Sequence, residues 1–152
     1  MGVSDRLAEL GIELPPVAAP VAAYVPATRL GDVIRTSGQL PLVDGALPAK
    51  GKVGSDVPAE DAKGLARVAA LNALAAAAAQ AGGLDGLSRV LHVTVFVSSA
   101  PDFTGQAAVA NGASEILGEI FGEAGRHSRS AVGVAVLPLD TPVEVEVQFA
   151  TV

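Results

Sequence analysis

The sequence predicts an α+β domain, one β-sheet with two main helices packed on one of its faces. Three observations lead there. Residues 58–81 and 103–122 carry apolar side chains at helical spacing, whereas residues 24–37, 90–98, 129–136 and 143–150 alternate with a period of two. The order is β-β-α-β-α-β-β, so the helices are few and separated by strands, which favours a sheet with its helices on one side. The chain has 152 residues, half of them hydrophobic, enough for one domain with a sizeable core.

The first element is a short helix over residues 4–10. Ser4 is a suitable N-cap, Asp5 suits the first turn, and Gly11 can end it before Leu14-Pro15-Pro16. Residues 15–23 form an extended Pro/Ala/Val connector whose apolar content implies that it lies against something. Residues 1–19 are thus an N-terminal helix and connector, and residues 20–152 a single domain. A first hairpin follows, with strands over 24–30 and 33–37 and a turn at Gly31-Asp32. Residues 39–57 are a Gly/Pro/Asp-rich connector with one short strand at 45–47. Pro58 suits the first turn of the next helix, Glu60 and Asp61 match its positive end, and Gly82-Gly83 stops it. Residues 65–81 are largely apolar but Ala-rich, interrupted by Arg67, Asn72 and Gln80, and short for a membrane span, so they read as a buried helix. Residues 90–98 are the strongest single strand, and Val109, Ile116, Leu117, Ile120 and Phe121 make the apolar stripe of the second main helix.

The last quarter reads as a hairpin. Residues 129–136 and 143–149 alternate around a four-residue loop, 137–140. That register sets Val134 opposite Val143 and Val132 opposite Val145, and brings Arg129, Ala131 and Gly133 onto one face with Gln148, Glu146 and Glu144. Arg129 and Glu144 would then lie about 13 Å apart along the strand direction, close enough for both side chains to reach one small polar molecule. A solvated face with weak cross-strand ion pairs is the competing interpretation. The small residues favour close approach by another backbone or a ligand. A sheet of this size with such a face also predicts a homo-oligomer.

Composition excludes several chemistries. There is no cysteine, hence no disulfide framework, thiolate ligand or Cys nucleophile, and a reducing cytoplasm is the expected compartment. The N-terminus has no basic region followed by an apolar stretch, so no secretory leader is expected. Net charge is −6 and the ten Lys and Arg are scattered, which disfavours nucleic-acid binding. No Gly-x-Ser-x-Gly elbow and no dinucleotide fingerprint is present. His92 and His127 are far apart in sequence; His92 sits in an apolar strand as a half-buried residue, and no metal cluster is expected. What survives is an arginine, carboxylates and accessible backbone amides such as that of Gly38, a set suited to holding a small carboxylate and guiding water or a proton.

Two separated stretches then carry a resemblance. Residues 24–41, YVPATRLGDVIRTSGQLP, resemble the first hairpin of the Rid family of reactive imine and enamine deaminases, also called the YjgF family. Residues 129–138, RSAVGVAVLP, with Val143-Glu144-Val145-Glu146-Val147 behind them, resemble its closing signature. The resemblance implies a chorismate-mutase-like subunit with a mixed sheet, assembling as a homotrimer with ligand clefts between subunits. It implies hydrolysis of 2-aminoacrylate-like enamines and imines to a 2-keto acid and ammonia, with no cofactor. Arg129 would clamp the substrate carboxylate and Glu144 hold or activate water. Tyr24 would line the cleft from a neighbouring subunit, with Ser37 and the Gly38 backbone at the ligand. Ala131 stands where the best-studied members carry a cysteine. That departure, a longer stretch over 103–111 and the N-terminal addition suggest a divergent branch. They also admit a non-catalytic trimer that only binds a small carboxylate. An endoribonuclease, sometimes attributed to the family, fits poorly with the acidic balance and the lack of an aromatic stacking platform.

Overall fold

The computed structural model describes residues 1–20 and 22–152; position 21, within the connector read as extended, lies outside the described residues. In chain order the elements are α1 (Val3–Glu9), β1 (Ala27–Leu30), β2 (Val33–Thr36), α2 (Ala59–Ala81), β3 (Leu87–Ser98), α3 (Gln106–Phe121), β4 (Ser128–Val134) and β5 (Val143–Thr151). The expected order of strands and helices is therefore present. Differences at the ends are local. Gly2, not Ser4, caps α1, because the Ser4 hydroxyl is drawn to Asp85 and donates to it at 2.5 Å. Pro58 is the N-cap of α2 and Gly82 closes it in a left-handed conformation, φ 80°. Helix α3 begins at Gln106 rather than Phe103, and the strand expected at 45–47 is reduced to a single bridge between Val43 and Ala46.

The sheet is mixed, with strand order β1-β2-β5-β3-β4. All neighbours are antiparallel except β3 and β4, which are parallel. This corrects the final hairpin. Strand β4 does not pair with β5; β5 inserts between β2 and β3, and β4 forms the outer edge. The cause is topological: α3 carries the chain from the end of β3 back to its start, and such a crossover makes the next strand parallel. The valine stripes decide the placement of β5. Val143, Val145 and Val147 register with Val97, Val95 and Val93, and all six are buried. On β4, by contrast, Val132 is 42 % exposed.

Both helices pack on the same face, α2 over β1, β2 and β5 and α3 over β3 and β4. Ala66, Ala69, Ala70, Ala73 and Ala77 of α2 are fully buried, and their methyl groups let the helix lie close to the sheet on one side and α3 on the other. The closest approach is at Gly112 of α3, where a Cβ would stand 1.9 Å from the Lys63 carbonyl oxygen. Helix α2 is long and apolar enough by composition to cross a membrane, but most of it is buried in this core, as a soluble core helix would be. Buried Asn72 ties α2 to the loop after β2, donating to the Leu40 and Leu42 carbonyls at 3.0 and 3.1 Å.

Candidate functional site

The loop that Asn72 holds is one wall of the cavity that Tyr24 and Glu144 share. Gln39 exchanges two backbone hydrogen bonds with Val145 of β5, at 2.7 and 2.9 Å, so the chain after β2 continues alongside the start of β5. Ser37 donates its hydroxyl to the Val25 carbonyl at 2.6 Å and its backbone N–H to the Pro26 carbonyl at 2.8 Å. These bonds hold residues 24–26 beside 37–38. Tyr24, Ser37, Gly38 and Glu144 consequently line one cavity of about 590 Å³ within a single chain.

Gly38 is small for a reason particular to this site. A Cβ there would lie 2.6 to 2.9 Å from the Glu144 carboxyl group, so only glycine leaves that side chain its position. Glu144 is half-buried. Loss of solvent, and after it the charge of Glu146, hold its carboxyl above the usual carboxylate range. Glu146 itself pairs with Arg35 across the sheet at 3.5 Å. A carboxyl shifted this way exchanges protons more readily near neutrality than an ordinary glutamate, which suits a group that takes a proton from water and returns it.

Arg129 is elsewhere. Its register partner is Val93, which pairs in turn with Val147, so its side chain rises on the helix-covered face. Glu144 registers with Phe96 and projects from the opposite, open face. Two strand spacings and three residues separate their Cα atoms, about 14 Å. The expectation that Arg129, Ala131 and Gly133 share a face with the glutamates is thus overturned by the parallel β3–β4 pairing. The small residues do mark a close approach, but within the chain: a Cβ on Gly133 would meet Gln106 Nε2 at 2.7 Å and Ser99 Oγ at 3.0 Å. Ala131 packs against the core beneath the same face and does not line the cavity.

Helix α3 holds the guanidinium. It donates to Asn111 Oδ1 at 2.8 Å, to Ser114 Oγ at 3.1 Å and to the Ala107 carbonyl at 3.3 Å. Residues 107, 111 and 114 lie on one face of the helix, at spacings of four and three. Ser114 also meets His127 Nε2 at 2.9 Å, while His127 Nδ1 lies 2.7 Å from the Gly125 carbonyl. The carbonyl can only accept, so Nδ1 donates to it. All three partners of Arg129 are neutral, and three of its five donors are engaged, leaving its charge and two donors for a ligand. Sequence reasoning missed Asn111 and Ser114; two uncharged polar residues three apart on one face of the helix were the available signal. It also missed Leu40, Leu42 and Pro138 in the cavity wall; of the connector expected to lie against something, Ala18, Ala19, Pro20 and Ala22 line that cavity, and most of its described residues are exposed.

Comparison with known proteins is consistent across the chain. Residues 4–151 match a family model described as "YjgF/chorismate_mutase-like, putative endoribonuclease". The chain is 43% identical over 145 residues to Protein TCP17 of Trypanosoma cruzi, covering 95% of this chain and 91% of that one. It is 35% identical over 130 residues to the 2-iminobutanoate/2-iminopropanoate deaminase of Escherichia coli K12, covering 84% and 87% of the two chains. Among solved structures, that of E. coli TdcF with bound serine superposes with a TM-score of 0.65 at 28% identity, over 91% of this chain and 94% of that one.

Proposed function

The chain belongs to the YjgF/chorismate-mutase-like family, and we propose that it hydrolyses small carboxylate-bearing imines and enamines to 2-keto acids and ammonia, in clefts completed between the subunits of a homotrimer. The observation that carries this reading is the division of the two key groups. Arg129 is held with spare donors on the edge strand, and Glu144 lies in a cavity on the other face. One chain cannot bring both to a ligand of a few atoms. A second copy can supply the guanidinium across the interface, where it would clamp the substrate carboxylate through two parallel hydrogen bonds. The deaminase relative and the serine held by TdcF, itself a small carboxylate, support the ligand class.

The chemistry is a balanced addition and elimination. Glu144 accepts a proton from water as the oxygen bonds to the imine carbon and the C=N electron pair moves to nitrogen. The proton passes to that nitrogen, giving a carbinolamine; Glu144 then takes the hydroxyl proton and delivers it to the nitrogen, the O–H electrons close the carbonyl, the C–N bond breaks and ammonia leaves. No thiol takes part, because Ala131 stands in place of the family cysteine and lies partly buried against the core. That same substitution favours a second reading, a trimer that holds the carboxylate without turnover. The net charge of −6 and scattered cations speak against the ribonuclease activity in the family description.

Incubating the protein with 2-iminopropanoate generated in place, and following imine decay and ammonia release, separates hydrolysis from binding. Arg129→Ala is expected to remove a charge-assisted contact and cost about 1.5–3 kcal/mol, roughly 10–150-fold in kcat/KM. Wild-type rates in that variant would sink the mechanism. Absence of turnover in the wild type, with pyruvate still bound, would establish the second reading.

A further inference from the structure

The cavity beside Glu144 is far larger than the smallest substrate of this class needs. Its volume is about 590 Å³. Cavities of about 300–1,000 Å³ take ligands of drug size, whereas 2-aminoacrylate has only about six heavy atoms. Its polar groups are few, and Glu144, Ser37 and Gly38 are adjacent among them. Tyr24 and Gln39 add a phenol and an amide to the lining, and the remainder is aliphatic. Ala18, Ala19, Pro20 and Ala22 of the N-terminal connector contribute one wall, and Leu40, Leu42 and Pro138 contribute further apolar lining. The wall around Leu40 and Leu42 is fixed, because Asn72 on α2 bonds both carbonyls. The connector is therefore part of the site, and it offers a substrate methyl groups and proline rings with no charge.

Resting on the imine-hydrolase reading, we propose that this chain selects 2-imino acids with a branched aliphatic side chain of about four carbons, and that Ala18, Ala19, Pro20 and Ala22 of the connector form the specificity-determining wall. The carboxylate and imine ends face Glu144 and the incoming guanidinium, and the branched alkyl group lies against the alanines and leucines. A three-carbon imine leaves that volume to water and forgoes the apolar contact. One additional methylene seated in an apolar pocket is worth about 10–200-fold in discrimination.

The test uses the full-length protein and imines made in place from L-leucine and L-alanine by an amino-acid oxidase. The wild type is expected to favour the leucine-derived imine by about tenfold or more in kcat/KM. Ala19→Phe and Ala22→Phe, both at exposed connector positions, fill the cavity without touching the core. Each is expected to lower kcat/KM on the leucine-derived imine about tenfold more than on the alanine-derived imine. A wild-type preference for the three-carbon imine, or an equal loss on both substrates, would overturn the proposal. Should the wild type turn over neither imine, hydrolysis itself falls, and calorimetry decides the wall separately. Tighter binding of 4-methyl-2-oxopentanoate than of pyruvate, weakened in the two Phe variants, upholds the specificity; equal binding removes it.

Discussion

At the scale of single residues, the two carboxylates of β5 differ because their neighbours differ. Glu146 has Arg35 across the sheet, while Glu144 is turned into a largely apolar cavity beside Gly38. Because its folded carboxyl is raised above the unfolded value of 4.5, the native state binds that proton more tightly. Its contribution to stability is then complete below the unfolded value and is lost as pH rises through the higher folded one. Glu144→Gln is therefore expected to melt above the wild type at pH 7 to 8, with the gain shrinking toward pH 4. Solvent screening of a half-exposed group keeps the shift to no more than about 2–4 °C. Melting curves across that range check it, and a variant less stable at neutral pH would contradict the strained carboxylate. As candidates, Arg129, Glu144, Tyr24, Ser37 and Gly38 were legible in the sequence, and the structure gathers all but Arg129 at one cavity. The three groups on α3 that hold the arginine were not, since nothing local to residue 129 points to a helix eighteen residues away.

At the scale of elements, α2 ends where its glycine pair says it should, whereas α1 is capped at Gly2 rather than Ser4 and α3 starts at Gln106 rather than Phe103. The consequential failure was one strand pairing. Alternation in β4 and β5 is the same whether the strands neighbour each other or not, so periodicity supplied each strand but not its partner. The packing of α2 against α3 has a sharper determinant in Gly112. Gly112→Ala would press a methyl group into the Lys63 carbonyl, a rigid backbone atom, and the helices must separate to admit it. Such overpacking is expected to destabilise the fold by about 1–3 kcal/mol, despite alanine's better helix propensity. Chemical denaturation reads this directly, and an unchanged or raised midpoint would show that the crossing yields freely.

For the whole molecule, the open side of the sheet is the feature to explain. Val132 and its register partner Phe96 occupy it together with Thr94, Glu144 and Glu146, uncovered by either helix. If that face closes against further copies, as the proposed trimer requires, a charge at its apolar point should prevent assembly. Light scattering is expected to give about three times the chain mass of 15.1 kDa for the wild type, and a single-chain mass for Val132→Glu with the melting transition retained. A monomeric wild type would leave Arg129 and Glu144 on separate faces of one chain, and the site without its two halves.

The sequence by itself determined the number, type and order of the elements, the cysteine-free chemistry and the residues that mark the family, because caps, periodicity and composition are local properties of the chain. Only the tertiary structure decided which strand lies beside which, and with it the faces on which Arg129 and Glu144 stand. Strand partners are chosen by non-local packing: the crossover through α3 set β4 parallel to β3, and the matched valine stripes drew β5 to the centre. Neither choice leaves a mark in the alternation of the strands themselves.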